Sequence, residues 1–160
     1  MANQSKLSVG SIIVVSGKSK IRLEAYTNIL DEISQSDFLP KYIPGVEINQ
    51  SDRGHDEKLP LLRLVESDIS NFHFERSNAT FNYNKTSTTI RDMITVVDYC
   101  LEYIRQANGI YAVHGSACSK DRKSIIFFGP VSGLGKTTAA LSLCSNYGFE
   151  FIGDEKILIN

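Results

Sequence analysis

The chain of 160 residues is 42% hydrophobic and 22% charged, a composition that excludes intrinsic disorder and supplies enough apolar surface for a core. Its longest unbroken apolar runs, among them Ile12 to Val15 and Ile125 to Phe128, hold four residues each, against the roughly 20 needed to cross a bilayer as a helix. Seventeen Lys and Arg are set against eighteen Asp and Glu with no single-sign tract, so neither a membrane nor nucleic acid is the expected partner.

From Ser11 to Tyr26 the residues are apolar and β-branched, broken by Ser16-Gly17-Lys18-Ser19, which predicts two short strands around a turn. A short helix is expected over Thr27 to Ile33. Between Gln35 and Pro60 lie three of the four prolines and a polar stretch around Ser51-Asp52-Arg53-Gly54, the pattern of a loop. Leu61 to Val65 resumes an apolar run. Phe72 and Phe74, then Phe81 and Tyr83, alternate with polar residues on either side of Ser77-Asn78, as in an antiparallel hairpin with one buried face. Residues 1–86 therefore read as a β-rich α+β region with an accessory or substrate-recognition role.

The period then changes. Ile90, Met93, Ile94, Val97, Leu101 and Ile104 recur at three- and four-residue spacing, opened by Thr89 with Asp92 and closed by Asn108-Gly109. This is the signature of an amphipathic helix. Residues 87–160 continue with strands at Ile110 to Cys118 and Ile125 to Phe128, a glycine-rich turn, a helix from Lys136 to about Ser145, and a strand at Phe149 to Ile152. That order predicts an α/β nucleotide-binding core with a parallel or mixed sheet. Cys100, Cys118 and Cys144 sit in apolar patterns, not in close ligand pairs, and are expected to be buried thiols in a reducing compartment. The first residues show no secretory or transit pattern, and the cytoplasm is the expected location.

Chemistry concentrates at Gly129-Pro130-Val131-Ser132-Gly133-Leu134-Gly135-Lys136-Thr137-Thr138, where a strand becomes a helix. Glycines there let the main chain approach phosphate oxygens, and the helix start adds partial positive charge. Lys136 is then expected to reach the β- and γ-phosphates of ATP, and the Thr137 hydroxyl to join the shell of Mg²⁺. One residue more than the common P-loop spacing separates Gly129 from Gly135, and Pro130 removes one N–H. The residues expected to contact nucleotide are Gly129, Ser132, Gly133, Leu134, Gly135, Lys136, Thr137 and Thr138.

Asp154 and Glu155 follow the last expected strand. In open parallel sheets ligands lie beyond the carboxyl ends of the strands, so these acids are expected on the same rim as Lys136. One of the two can hold the metal and the other accept a proton, or the pair can be a solvated turn. His114, isolated in an apolar strand, reads as a hydrogen-bonded core residue or as a site residue. His55 in the polar loop and His73 on the solvent face of the hairpin offer no metal pair.

Taken together, Val113-His114-Gly115-Ser116-Ala117, Ile125 to Gly129, Ser132 to Thr137 and Gly153-Asp154-Glu155 resemble the nucleotide-binding core of the HPr kinase/phosphorylase-like family. These are P-loop serine kinases akin to phosphoenolpyruvate carboxykinase. The resemblance implies ATP-dependent transfer to a serine hydroxyl of a protein or peptide. Asp154 matches the catalytic aspartate, Lys136 and Thr137 the phosphate and Mg²⁺ positions, His114 a histidine flanking the site, and Glu155 a second acid near the metal. Family members continue beyond the acidic turn, so a truncated or split member is expected, with a second chain or further copy completing the sheet. The alternative reading is a non-catalytic nucleotide sensor or one half of a split kinase.

Overall fold

The computed structural model describes residues 8–51 and 58–160. The chain divides into two compact units, one ending at Asn108 and one running from Gly109 to Asn160. The architecture is mixed α/β, and no helix among the described residues is long and apolar enough to cross a membrane.

The first unit opens on β1 (Val9–Ser16) and β2 (Ser19–Tyr26), an antiparallel hairpin paired from Val9 with Tyr26 to Ser16 with Ser19. Gly17 takes a positive φ in its two-residue turn, as tight hairpins require. Then come α1 (Thr27–Ser34), α2 (Leu39–Tyr42), β3 (Val46–Gln50), β4 (Leu61–Glu66), β5 (Asn71–Glu75), β6 (Asn78–Tyr83) and α3 (Ile90–Ala107). The six strands form one mixed sheet in the order β3-β1-β2-β4-β6-β5, with β4 parallel to both of its neighbours.

Alternation decides which face of each strand is buried. In β2 Ile21, Leu23 and Ala25 point to the core, and in β6 Ala79, Phe81 and Tyr83 do so. The stripe Met93, Ile94, Val97, Cys100 and Leu101 of α3 is buried in the same cluster, with Ile29, Leu30 and Ile33 of α1. α3 starts on a capping box. Thr89 Oγ1 accepts from the Asp92 amide at 3.2 Å, and the Thr89 amide donates to Asp92 Oδ2 at 2.9 Å, which satisfies two otherwise orphaned donors.

Two expectations for this unit change. The stretch from Gln35 to Pro60 is not all loop. Pro40 lies in the first turn of α2, where its missing N–H costs nothing. The short Val46/Ile48 alternation of β3 becomes a strand because the free edge of β1 recruits it, with Ile48 opposite Val14. The centre of the expected loop, Asp52 to Gly54, and His55 lie outside the described residues. Finally, α3 was expected to belong with residues 87–160, but it is part of the first unit because its apolar stripe completes that unit's core.

The second unit contains β7 (Tyr111–Val113), β8 (Gly115–Lys120), β9 (Lys123–Phe128), α4 (Lys136–Tyr147), β10 (Glu150–Gly153) and β11 (Ile157–Ile159). The single strand expected over Ile110 to Cys118 is broken at His114. β7 pairs with β11 in a two-stranded sheet, whereas β8 is the middle of the sheet β10-β8-β9. Its pairs are antiparallel, not parallel. β8 and β9 form a hairpin whose turn residues Asp121 and Arg122 both have positive φ, and a tight turn forces antiparallel neighbours. β10 therefore pairs with β8 instead of β9, and runs in the same direction as β9 on the far side of it. Only Ala140 of α4 is buried, and Phe128, Leu141, Phe151 and Ile152 are exposed.

Candidate functional site

The glycine-rich segment joins β9 to α4 in the second unit. Gly133 and Gly135 have φ of +79° and +76°, a left-handed region that side chains with a Cβ rarely adopt. Gly135 is the residue before the first turn of α4, and its carbonyl accepts the Ala139 amide at 2.8 Å. The amides of Lys136, Thr137 and Thr138 therefore have no acceptor within the helix, and they lie at its positive end. Gly129 acts differently. A Cβ there would stand 2.8 Å from Leu134 Cδ1, so its contribution is a close approach of the loop to itself.

A cavity of about 250 Å³ opens at this helix start. It is lined by residues 132–138 of the glycine-rich loop and helix start together with His114, Asp154 and Glu155. Of the residues expected at the site, Gly129 alone is not in the lining. Lys136 Nζ donates to the Val131 carbonyl at 3.0 Å, which draws the ammonium back over its own loop. A cation at the first position of a helix opposes the dipole, and this bond offsets part of that cost.

Asp154 sits in the turn after β10. Thr137 Oγ1 lies 3.0 and 2.9 Å from the two carboxylate oxygens and donates to them. Ser116 Oγ donates to Asp154 Oδ1 and lies 3.2 Å from Thr137 Oγ1. The Ser116 hydrogen bond is the main cause that holds the Asp154 carboxyl below its ordinary value. Partial burial opposes it, and bonds from Thr137 and the Glu155 backbone, with the charge of His114, add to it. Asp154 is thus ionised at neutral pH.

Glu155 has a positive φ of 68°, a strained conformation for a residue with a side chain. Two bonds hold the turn, from the Gly115 amide to the Glu155 carbonyl at 3.2 Å and from the Lys156 amide to the Asp154 carbonyl at 2.8 Å. The Glu155 carboxylate lies 3.9 Å from His114 Nδ1, an ion pair when the imidazole is protonated. His114 is not a core residue. It is 56% exposed at the bend between β7 and β8.

Sequence reasoning gave Ser116 no role. Its one signal was a small hydroxyl residue beside a glycine in an otherwise apolar strand, a pattern that more often marks only a tight strand contact. Among the described residues no cluster of three or more His, Cys, Asp or Glu is placed to form a protein-only metal cage. Thr137 Oγ1 and the Asp154 carboxylate are hard oxygen donors that suit Mg²⁺, a cation that usually keeps waters and takes only one or two protein carboxylates. No protein-family model matches this chain, and no curated protein matches it.

Proposed function

We propose that the chain is a Mg-ATP-binding P-loop protein that transfers the γ-phosphoryl group to a serine hydroxyl of a protein or peptide. The observation that carries this reading is the convergence of Lys136, Thr137 and Asp154 on one cavity at the start of α4. The cavity is smaller than the roughly 300–1,000 Å³ of ordinary small-molecule pockets. That volume suits a phosphate chain with its cation, leaving the nucleoside outside. The resemblance of the glycine-rich loop and the acid turn to the P-loop core of HPr-kinase-like serine kinases supports a serine hydroxyl as the acceptor.

In this reading the free amides at the head of α4 bind phosphate oxygens, and Lys136 exchanges the Val131 carbonyl for a phosphate oxygen. Thr137 and Asp154 hold the cation, which would neutralise charge on the phosphate oxygens when bound. The acceptor serine oxygen bonds to the γ-phosphorus as the bond to the β-phosphate oxygen breaks, and the serine proton passes to Asp154. A carboxyl held low is a weak base toward a resting hydroxyl. Asp154 therefore orients the hydroxyl and takes its proton as the phosphoryl group departs. His114 and Glu155 flank this point and set its charge.

A second reading is a nucleotide sensor or one half of a split kinase. It is favoured by the outer edges of β9 and β10, which pair with no described strand, and by the exposure of Phe128, at 73%, and Ile152, at 52%. A second chain or a further copy of this one would cover them.

Calorimetry with ATP and Mg²⁺, followed by incubation with labelled ATP and serine-containing proteins, tests both readings. Binding with transfer supports the kinase, and binding without turnover supports the sensor. Absence of binding by the folded chain removes both. Lys136→Ala is expected to weaken binding or transfer by on the order of 10²-fold or more.

A further inference from the structure

We infer that Ser116 is the positioning residue of the cation site, a buried hydroxyl near the start of the middle strand of the sheet that fixes the Asp154 carboxylate against Thr137. This inference rests on the proposed Mg-ATP reading and identifies what holds that site in register.

Asp154 and Thr137 belong to separate elements, a turn and a helix start, and both side chains are short. Nothing in either element alone keeps the carboxylate at the hydroxyl. Ser116 does so from a third element. It lies on β8, the middle strand of the sheet, opposite Phe127 of β9, and is 0% exposed. Its Oγ donates to Asp154 Oδ1 and stands 3.2 Å from Thr137 Oγ1, so the three side chains close a triangle.

The backbone shows the same dependence. The Gly115 amide donates to the Glu155 carbonyl at 3.2 Å, so consecutive residues of β8 hold consecutive residues of the acid turn, one by main chain and one by side chain. A Cβ at Gly115 would stand 2.5 Å from the Phe127 carbonyl oxygen, and only glycine lets β8 approach β9 closely there. Ser116 engages only Oδ1, while Thr137 Oγ1 reaches both carboxylate oxygens, so Ser116 sets the orientation in which the carboxylate and the Thr137 hydroxyl face a shared cation. A partner that orients a metal-binding carboxylate without touching the metal typically changes metal affinity about 10–100-fold when lost.

The test measures ATP affinity by calorimetry with Mg²⁺ and with EDTA, for the parent and for Ser116→Ala. The variant is expected to keep its Mg²⁺-free affinity and to lose about 10–100-fold of the tightening that Mg²⁺ produces in the parent. An equal loss with and without Mg²⁺ would mean that Ser116 only supports the fold. Unchanged affinities in both conditions would mean that Asp154 needs no positioning. Either result overturns the inference while leaving ATP binding intact. A parent chain that binds no ATP overturns the Mg-ATP reading itself and this inference with it. Should the alanine chain not fold, Ser116→Cys, which nearly keeps the side-chain volume and weakens the donor, is measured in the same way with the same outcomes.

Discussion

Gly115 lies so close to Phe127 that a Cβ would stand 2.5 Å from the Phe127 carbonyl oxygen. The contact is with main chain at the end of the hairpin far from its turn, so no side-chain rotation relieves it. Gly115→Ala is expected to destabilise the second unit by about 1–3 kcal/mol, the usual range for overpacking. It should also loosen the Gly115–Glu155 backbone bond. Chemical denaturation with amide hydrogen exchange at Gly115 checks both effects, and an alanine chain as stable and as protected as the parent would contradict them.

The capping box of α3 predicts a pH dependence. The Asp92 carboxyl is held below its ordinary value, first by the Thr89 backbone amide and then by the Thr89 hydroxyl. A carboxyl lowered on folding contributes stability that is present above its unfolded value and lost as pH falls through its folded value. Thr89→Ala is therefore expected to cost about 1 kcal/mol near neutrality. The gap between variant and parent should narrow as pH falls through and below the carboxylate range. Melting curves across acid pH test this, and a gap that widens on acidification would contradict it.

Arg105 is fully buried and donates to Ser16 Oγ at 2.7 Å, and to Asp98 Oδ1 and Glu102 Oε2 at 3.2 Å each. Ser16 in turn donates to the Pro44 carbonyl at 2.6 Å, which ties the last turn of α3 to the first hairpin. Arg105→Ala is expected to cost about 3 kcal/mol. This is the lower end for breaking a buried pair, because both acids keep some contact with water. Arg105→Met, closer in volume, should cost less. Urea titration of the two variants decides whether packing or pairing dominates.

The three thiols should react in a set order. Burial pushes Cys100 up to about 12, and burial also raises Cys118, with Cys144 beside it adding to the shift. Both are buried, whereas Cys144 is only half-buried. Since the thiolate is the reactive form, an alkylating reagent at neutral pH is expected to label Cys144 first and the other two only on unfolding. Mass spectrometry over time reads the order, and equal labelling of Cys100 in the folded chain would contradict it.

The sequence by itself determined the elements whose period is long or whose turns carry special residues. α3 was legible because Ile90 to Ile104 keep one face apolar over many turns and Thr89 and Asp92 mark its start. The β1–β2 and β5–β6 hairpins were legible because each alternates around a short polar turn. The loop from Gly129 to Thr138 stood out because Gly133 and Gly135 precede a lysine at the head of a helix, a local pattern that needs no distant partner to be seen.

Tertiary structure alone decided the pairing, the break at His114 and the role of Ser116. Strand direction depends on which edges meet, so the antiparallel place of β8 between β9 and β10 could not be read from strand order. β3 exists because the edge of β1 offers it hydrogen bonds. Arg105 is buried at the last turn of α3 where Ser16, from a distant part of the chain, accepts its hydrogen bond. Ser116 meets Asp154 and Thr137 only when three elements fold together. A single hydroxyl carries no periodicity, and its function lies in distances that only the folded chain contains.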